Sequence, residues 1–148
     1  MNHELNLKLN TNREVRTEKR ERQYHGFVRT LDLIMTLLFA FAAALQFNDP
    51  DPIQWIAIYT AACGLSLVSF FRRRVPLAAV IAVSVIAIAW ATLIAFGGPT
   101  ASEYGHMFDA WEMKSPSVEQ AREASGLVIV GAWMIVLSIR ARRPFVRA

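Results

Sequence analysis

Two groups of acidic residues in this chain have the composition of a cation site. The first is the run Asn48-Asp49-Pro50-Asp51-Pro52, and the second is Glu119 and Glu123 with Arg122. Residues 119, 122 and 123 are three and four positions apart, so a helix places them on one face. Carboxylate and amide oxygens are ligands that Ca²⁺, Mg²⁺ and Mn²⁺ prefer. If the two groups meet, the expected metal ligands are Asp49, Asp51, Glu119 and Glu123.

The same groups could hold a small polar ligand or act as a scaffold. Trp55 and Tyr59 follow the first group at helical spacing, and Arg122 supplies a fixed positive charge to the second. The expected ligand-binding residues are Asn48, Asp49, Asp51, Trp55, Tyr59, Glu119, Arg122 and Glu123.

Ordinary helix chemistry offers a second explanation, in which the polar residues are structural. Asp51 is a good N-cap for a helix that begins at Pro52, and Asp-Pro pairs are common in turns. Glu119 near a helix N-terminus is favoured by the helix dipole.

A third interpretation is a membrane-embedded enzyme acting on a lipid or a quinone-like molecule. Glu123 or Asp49 would be its general base, and Arg122 would hold an anionic group. The sequence contains no nucleophile motif or cofactor motif beside these residues, so whether the chain is an enzyme stays open.

Four apolar runs must position these residues, at about 30–47, 53–71, 77–96 and 124–139. A helix of about 20 residues crosses a hydrocarbon core of about 30 Å. All of the 16 Lys and Arg residues except Lys114 and Arg122 fall on one side of these runs. Cytoplasmic segments retain Lys and Arg. We therefore predict an all-α, four-span up-down bundle in the cell (inner) membrane, with both termini cytoplasmic and both acidic groups at the extracytoplasmic mouth.

The predicted domains are a polar cytoplasmic arm at 1–26 and one transmembrane domain at 27–148. The fourth helix should begin at Pro116 and end near Arg140, although the short apolar run at 124–139 leaves a three-span alternative. Between the third and fourth spans, Thr100–Glu103 fits a capping box. An aromatic stripe follows at helical spacing and predicts a short interfacial amphipathic helix. Its members are Tyr104, Met107, Phe108 and Trp111.

Few polar side chains lie within the spans. Asp32 is in the first span, and Arg29 on the same face three residues earlier explains it as part of an ordinary interfacial pair. Trp55 and Tyr59 suit the aromatic belt of the membrane interface. Cys63 is the only cysteine, so an intramolecular disulfide is excluded.

The net charge of +4 arises from the juxtamembrane arginines and lysines. Attraction to anionic lipid headgroups explains them, and no nucleic-acid-binding motif accompanies them. The expected partners are the lipid bilayer and a second copy or another membrane protein, with no nucleic acid. A divalent cation is the one cofactor that the residues suggest.

The first acidic group and its aromatic neighbours resemble the hallmark of the transmembrane protein 220 family, in the residues Gln46-Phe47-Asn48-Asp49-Pro50-Asp51-Pro52 with Trp55 and Tyr59. A second resemblance covers Trp111, Met113-Lys114-Ser115, Glu119, Ala121-Arg122-Glu123 and Gly126-Leu127. The resemblance as a whole extends over roughly Leu31–Ile139. The resemblance implies a small four-helix membrane protein and a shared site for the two acidic groups, and it implies no activity.

Overall fold

The computed structural model of the protein describes residues 2–48, 52–71, 74–99, 101–106 and 116–142. These residues form helices and contain no strand. The helices are α1 Asn2–Leu45, a 3-10 turn Gln46–Asn48, α2 Pro52–Phe70, α3 Leu77–Gly97, α4 Ala101–His106 and α5 Pro116–Ala141.

Four of these helices are long and apolar enough to cross a membrane. The candidate spans are Arg13–Leu45, Pro52–Phe70, Leu77–Gly97 and Ser117–Ala141. The helix α5 has 26 residues, which gives a length of about 39 Å. The three-span alternative rests on the short apolar run at 124–139. The polar first turns of α5 extend the helix beyond this run, so α5 is long enough to be a fourth candidate span. The protein is therefore an integral membrane protein with four candidate spans.

The first helix is longer than its span requires. It has 44 residues and continues through Gly26, where the sequence suggests the boundary between arm and span. Acidic and basic residues at helical spacing before Gly26 stabilise the helix in the arm. The helix continues through Gly26 because a single glycine costs a helix only about 1 kcal/mol. The polar arm is thus helical from Asn2 onward and shares one helix with the first span.

Two helix pairs, α1 with α2 and α3 with α5, make up the bundle. Tyr59 of α2 lies against Gly126 of α5. Seven residues further along each helix, Ser66 of α2 is hydrogen-bonded to Trp133 of α5. Since both positions advance together, α2 and α5 run in the same direction. The helix α3 runs opposite to α5, because Gly98 approaches Gln120 whereas Ser84 approaches Gly131.

The core lies along one face of α5. Its members there are fully or almost fully buried, whereas large apolar side chains elsewhere are exposed, as expected for surfaces that face lipid. The α5 members of the core cluster are Leu127, Val130, Trp133, Met134 and Leu137. They are joined by Phe39 of α1, Ala62 of α2 and Val80 of α3.

The directions of the helices give the bundle two chemically different ends. We call the end where α2 and α5 begin the acidic end, after Glu119 and Glu123. We call the end where α2 and α5 finish the basic end, after Arg29 and Arg140.

Candidate functional site

A close approach of α2 and α5 forms the centre of the acidic end. Gly126 lies directly against Tyr59, and a Cβ atom at residue 126 would overlap the tyrosine hydroxyl oxygen. Tyr59 is buried, with 7% of its surface exposed. A side chain at position 126 would therefore displace the tyrosine or push the two helices apart.

The aromatic residues near this contact are inside the bundle. Trp55 is 4% exposed and stacks on Trp90 of α3, with ring centroids 4.5 Å apart and an angle of 20° between the planes. Tyr59 lies one turn further along α2, with its ring 6.5 Å from that of Trp55. The prediction that Trp55 and Tyr59 belong to a lipid-facing aromatic belt is therefore wrong. Both are buried by packing against α3 and α5.

The second acidic group lies on the first two turns of α5. Glu119, Arg122 and Glu123 are each half-buried. They precede Gly126 by seven, four and three residues, so they share its helical face. Since Gly126 faces Tyr59, this face is directed toward the start of α2. Tyr59, Arg122 and Glu123 all have interaction partners.

The first acidic group is described only in part. Asn48 ends the 3-10 turn that precedes α2. Asp49 and Asp51 fall in 49–51, outside the described residues, so their meeting with Glu119 and Glu123 stays a prediction. Within the described segments, no three His, Cys, Asp or Glu residues form a metal-binding group.

The predicted interfacial helix is also described in part. The helix α4 begins at Ala101, within the predicted capping box, and ends at His106. Tyr104 of the aromatic stripe is half-buried. Met107, Phe108 and Trp111 lie outside the described residues.

The chemistry offered at the acidic end is that of hard oxygen ligands and charge. Two carboxylates one helical turn apart, Glu119 and Glu123, lie on a half-buried face of α5, and the same face bears Gly126, which contacts the Tyr59 hydroxyl. Oxygen donors of this kind suit a hard cation or hydrogen-bond donors of a polar molecule. Arg122 on the same face provides a positive charge. A bound cation would take over its part in neutralising the carboxylates, whereas a polar molecule would bind beside it.

Sequence reasoning missed a second polar cluster, at the basic end. Asp32 is 1% exposed, and both of its carboxylate oxygens accept hydrogen bonds from Arg140 of α5, at 2.7 Å from Nη1 and 2.9 Å from Nη2. The Ser69 hydroxyl of α2 also donates to Asp32, at 2.9 Å, and accepts from Arg140 Nη2 at 3.2 Å. We call these three residues the Asp32 cluster; it joins α1, α2 and α5.

The sequence predicts that Arg29 pairs with Asp32, and this prediction is wrong. The guanidinium of Arg29 lies over the ring of Phe70 instead, 4.7 Å from its centroid. Arg140 is 108 residues away from Asp32 in the chain. Local spacing on one helix cannot reveal such a pair. The one signal in the sequence is that Arg140 stands at the end of an apolar run, where it can reach a carboxylate in another span.

Two further hydrogen bonds cross the middle of the bundle. Trp133 Nε1 donates to Ser66 Oγ at 2.9 Å, and Ser84 Oγ donates to the carbonyl oxygen of Gly131 at 3.2 Å. They link α5 to α2 and to α3. Every buried side-chain nitrogen and oxygen atom in the described part of the chain has a hydrogen-bond partner.

Comparison with known proteins gives the chain a family. No solved structure matches it. The model of the family described as "Transmembrane family 220, helix" matches residues 38–139, which include both acidic groups, α2, α3 and nearly all of α5. The match covers more than half of the chain, and the protein belongs to transmembrane family 220.

Proposed function

We propose that this protein is a membrane-embedded binding protein whose acidic end holds a divalent cation or a small polar ligand. The observation that carries the proposal is the contact between Gly126 and Tyr59. This contact turns the face of α5 that bears Glu119 and Glu123 toward the start of α2. Asp51 and Asp49 directly precede α2 in the chain, so four carboxylates would share one mouth.

The burial of the neighbouring aromatic residues supports a preformed site. Trp55 packs between Tyr59 and Trp90, and this stack fixes the first turns of α2 against α3. Half-buried carboxylates are partly shielded from water, which strengthens their attraction to a cation. A ligand there would contact rigid helices, and rigid helices hold ligands more precisely than loops do.

We place this site outside the cytoplasm. The distribution of Lys and Arg favours a four-span up-down arrangement in the cell (inner) membrane with both termini in the cytoplasm. In that arrangement 1–26 is a cytoplasmic arm, 27–148 is one transmembrane domain, and α4 belongs to an interfacial segment at the extracytoplasmic surface. The parallel directions of α2 and α5 support it, because both helices begin at the acidic end.

A melting series of the purified protein with Ca²⁺, Mg²⁺, Mn²⁺ and Zn²⁺ tests the proposal. A ligand that binds only the folded state raises the melting temperature in proportion to ln(1 + [L]/Kd). We expect at least one hard divalent cation to raise it in the wild type. Glu123→Gln combined with Asp49→Asn should abolish the rise.

The matched control is Glu14→Gln combined with Glu18→Gln, which removes two carboxylates from the exposed arm of α1. This variant should respond to the cation as the wild type does. An equal rise in all three proteins, or no rise with any ion, would refute a cation at the acidic end.

Arg122 gives a second test of the shared mouth. If Arg122 balances the carboxylates around it, Arg122→Ala leaves them uncompensated and should destabilise the protein by about 2–4 kcal/mol. Added Ca²⁺ should restore much of this loss in melting experiments. A loss below about 1 kcal/mol that Ca²⁺ does not change is the result expected of a solvated surface arginine.

A further inference from the structure

The basic end of the bundle has more positive charge than its own acidic groups balance. Arg29, Arg74 and Arg142 are exposed there, and Arg140 is partly exposed. From Arg29 onward, Asp32 is the only carboxylate among the described residues of this end. It already accepts both hydrogen bonds of the Arg140 fork. The remaining arginines therefore attract an anion from outside the bundle.

Two of these arginines lie at the same level beside the end of α2. Arg29 is one turn before Asp32 on α1, and its guanidinium is held over Phe70. Arg140 contacts Ser69, the residue before Phe70. A guanidinium has five N–H donors, and the Asp32 cluster uses three hydrogen bonds from Arg140. With 22% of its side chain exposed, Arg140 has donors left for a second acceptor.

An exposed apolar stripe continues from Arg29 into the membrane region. Leu33, Leu37 and Phe41 follow Arg29 at intervals of four residues, so each lies about 40° further around the helix, and together they form a stripe that winds across the exposed side of α1. They are 39%, 60% and 60% exposed, respectively. A fixed cation above a continuous apolar stripe matches the shape of a lipid, with a charged headgroup above its acyl chains.

We propose that Arg29 and Arg140 bind the phosphate of an anionic phospholipid, whose acyl chain lies along the stripe Leu33, Leu37 and Phe41. Arginine suits this ligand because its planar fork matches phosphate oxygens. The Phe70 ring keeps the Arg29 guanidinium in place, and Asp32 with Ser69 orients that of Arg140. The bound lipid then adds an acceptor to the Arg140 fork, which ties α5 to α1.

Native mass spectrometry of the full-length protein, titrated with phosphatidylglycerol in detergent, tests this proposal. Arg29→Gln should raise the Kd for phosphatidylglycerol about tenfold, the equivalent of about 1.4 kcal/mol. Arg29→Lys keeps the charge without the planar fork and should lie between the wild type and Arg29→Gln. Phosphatidylcholine, whose headgroup has no net charge, should bind the wild type at least about tenfold more weakly than phosphatidylglycerol.

The matched control is Arg16→Gln, which removes the same charge from the same helix. Arg16 is exposed and lies about 20 Å from Arg29 along the helix axis, beyond the screening length of about 8–10 Å. Its Kd should stay within about twofold of the wild type. Equal losses in both Gln variants, or no loss in Arg29→Gln, would overturn the proposal. Competition by inorganic phosphate at concentrations comparable to those of the lipid would also overturn it, because the ligand would then be a free anion.

Discussion

At the scale of single residues, the Asp32 cluster is where burial of a polar group costs the fold free energy. A carboxylate that is 1% exposed is costly to bury, and its hydrogen bonds from the Arg140 fork and the Ser69 hydroxyl offset that cost. The cluster also links two helices, because the long Arg140 side chain reaches from α5 to Asp32 of α1. Its loss should therefore affect both stability and the position of α1.

Asp32→Asn tests the energetic part of this argument. The variant leaves the Arg140 guanidinium without its counter-charge, so we expect it to destabilise the protein by about 3–5 kcal/mol. Ser69→Ala removes one neutral donor and should cost about 1 kcal/mol. The measurement is the free energy of unfolding in detergent. Asp32→Asn combined with Arg140→Gln should cost clearly less than the sum of the two single changes; additive costs would show that the pair is not coupled.

At the scale of helices, the sequence predicts where elements begin better than what they touch. Proline at Pro52 and Pro116 marks the start of α2 and α5, because proline suits the first turn of a helix and interrupts what precedes it. The sequence does not predict contacts between different helices. It does not identify Tyr59 as the neighbour of Gly126, since that contact depends on how α2 and α5 are placed in three dimensions.

The same distinction explains the errors at Trp55 and Asp32. Aromatic residues near a span end are typical of the membrane belt, and a nearby arginine is typical of an interfacial pair. In this bundle, stacking on Trp90 buries Trp55, and the Arg140 fork takes the place assigned to Arg29. Both partners come from other helices, α3 for Trp55 and α5 for Asp32. The interactions that determine the cluster and the stack are therefore tertiary, and local patterns do not contain them.

The close approach of α2 and α5 leads to a prediction at this scale. Gly126→Ala would force its Cβ atom onto the Tyr59 hydroxyl, and a buried ring moves only with its neighbours, so we expect a destabilisation of about 1–3 kcal/mol. Gly64→Ala is the control, because a Cβ atom there meets nothing within 4 Å. Alanine is also favoured over glycine in a helix, so Gly64→Ala should be neutral or stabilising by up to about 1 kcal/mol.

Tyr59→Phe provides the rescue. Without the hydroxyl, the nearest tyrosine ring atom to the new Cβ would be Cζ at 3.4 Å, which is an ordinary contact. Gly126→Ala should therefore cost less in the Tyr59→Phe background than in the wild type, as measured by chemical denaturation in detergent. The same cost in both backgrounds would mean that the hydroxyl does not limit the helix approach.

At the scale of the whole molecule, the two helix pairs meet where α2 packs against both α3 and α5, and we call the contact between α2 and α5 the seam. The Tyr59–Gly126 contact lies toward its acidic end, the Ser66–Trp133 hydrogen bond near its middle, and the Asp32 cluster at its basic end. The proposed ligand site and the proposed lipid site therefore occupy opposite ends of the same seam. In the four-span arrangement that we propose from the distribution of Lys and Arg, these ends lie on opposite sides of the membrane.

Cysteine labelling tests this placement. In a Cys63→Ala background, a membrane-impermeant maleimide applied to intact spheroplasts should label Lys114→Cys and should label Ala148→Cys only after the membrane is permeabilised. The physical reason is the retention of Lys- and Arg-rich segments in the cytoplasm. Labelling of both positions from the same side would contradict the four-span arrangement.

The central claim is that the acidic end binds a ligand through Glu119 and Glu123. The most direct measurement is the anomalous scattering of Mn²⁺ in crystals of the protein grown with that ion. We predict an anomalous peak at the acidic end, within coordinating distance of Glu119 or Glu123, that disappears in crystals of Glu123→Gln combined with Asp49→Asn. Crystals that hold Mn²⁺ elsewhere, or that show no peak at the acidic end at saturating Mn²⁺, would contradict a cation site there and favour the structural explanation of both acidic groups.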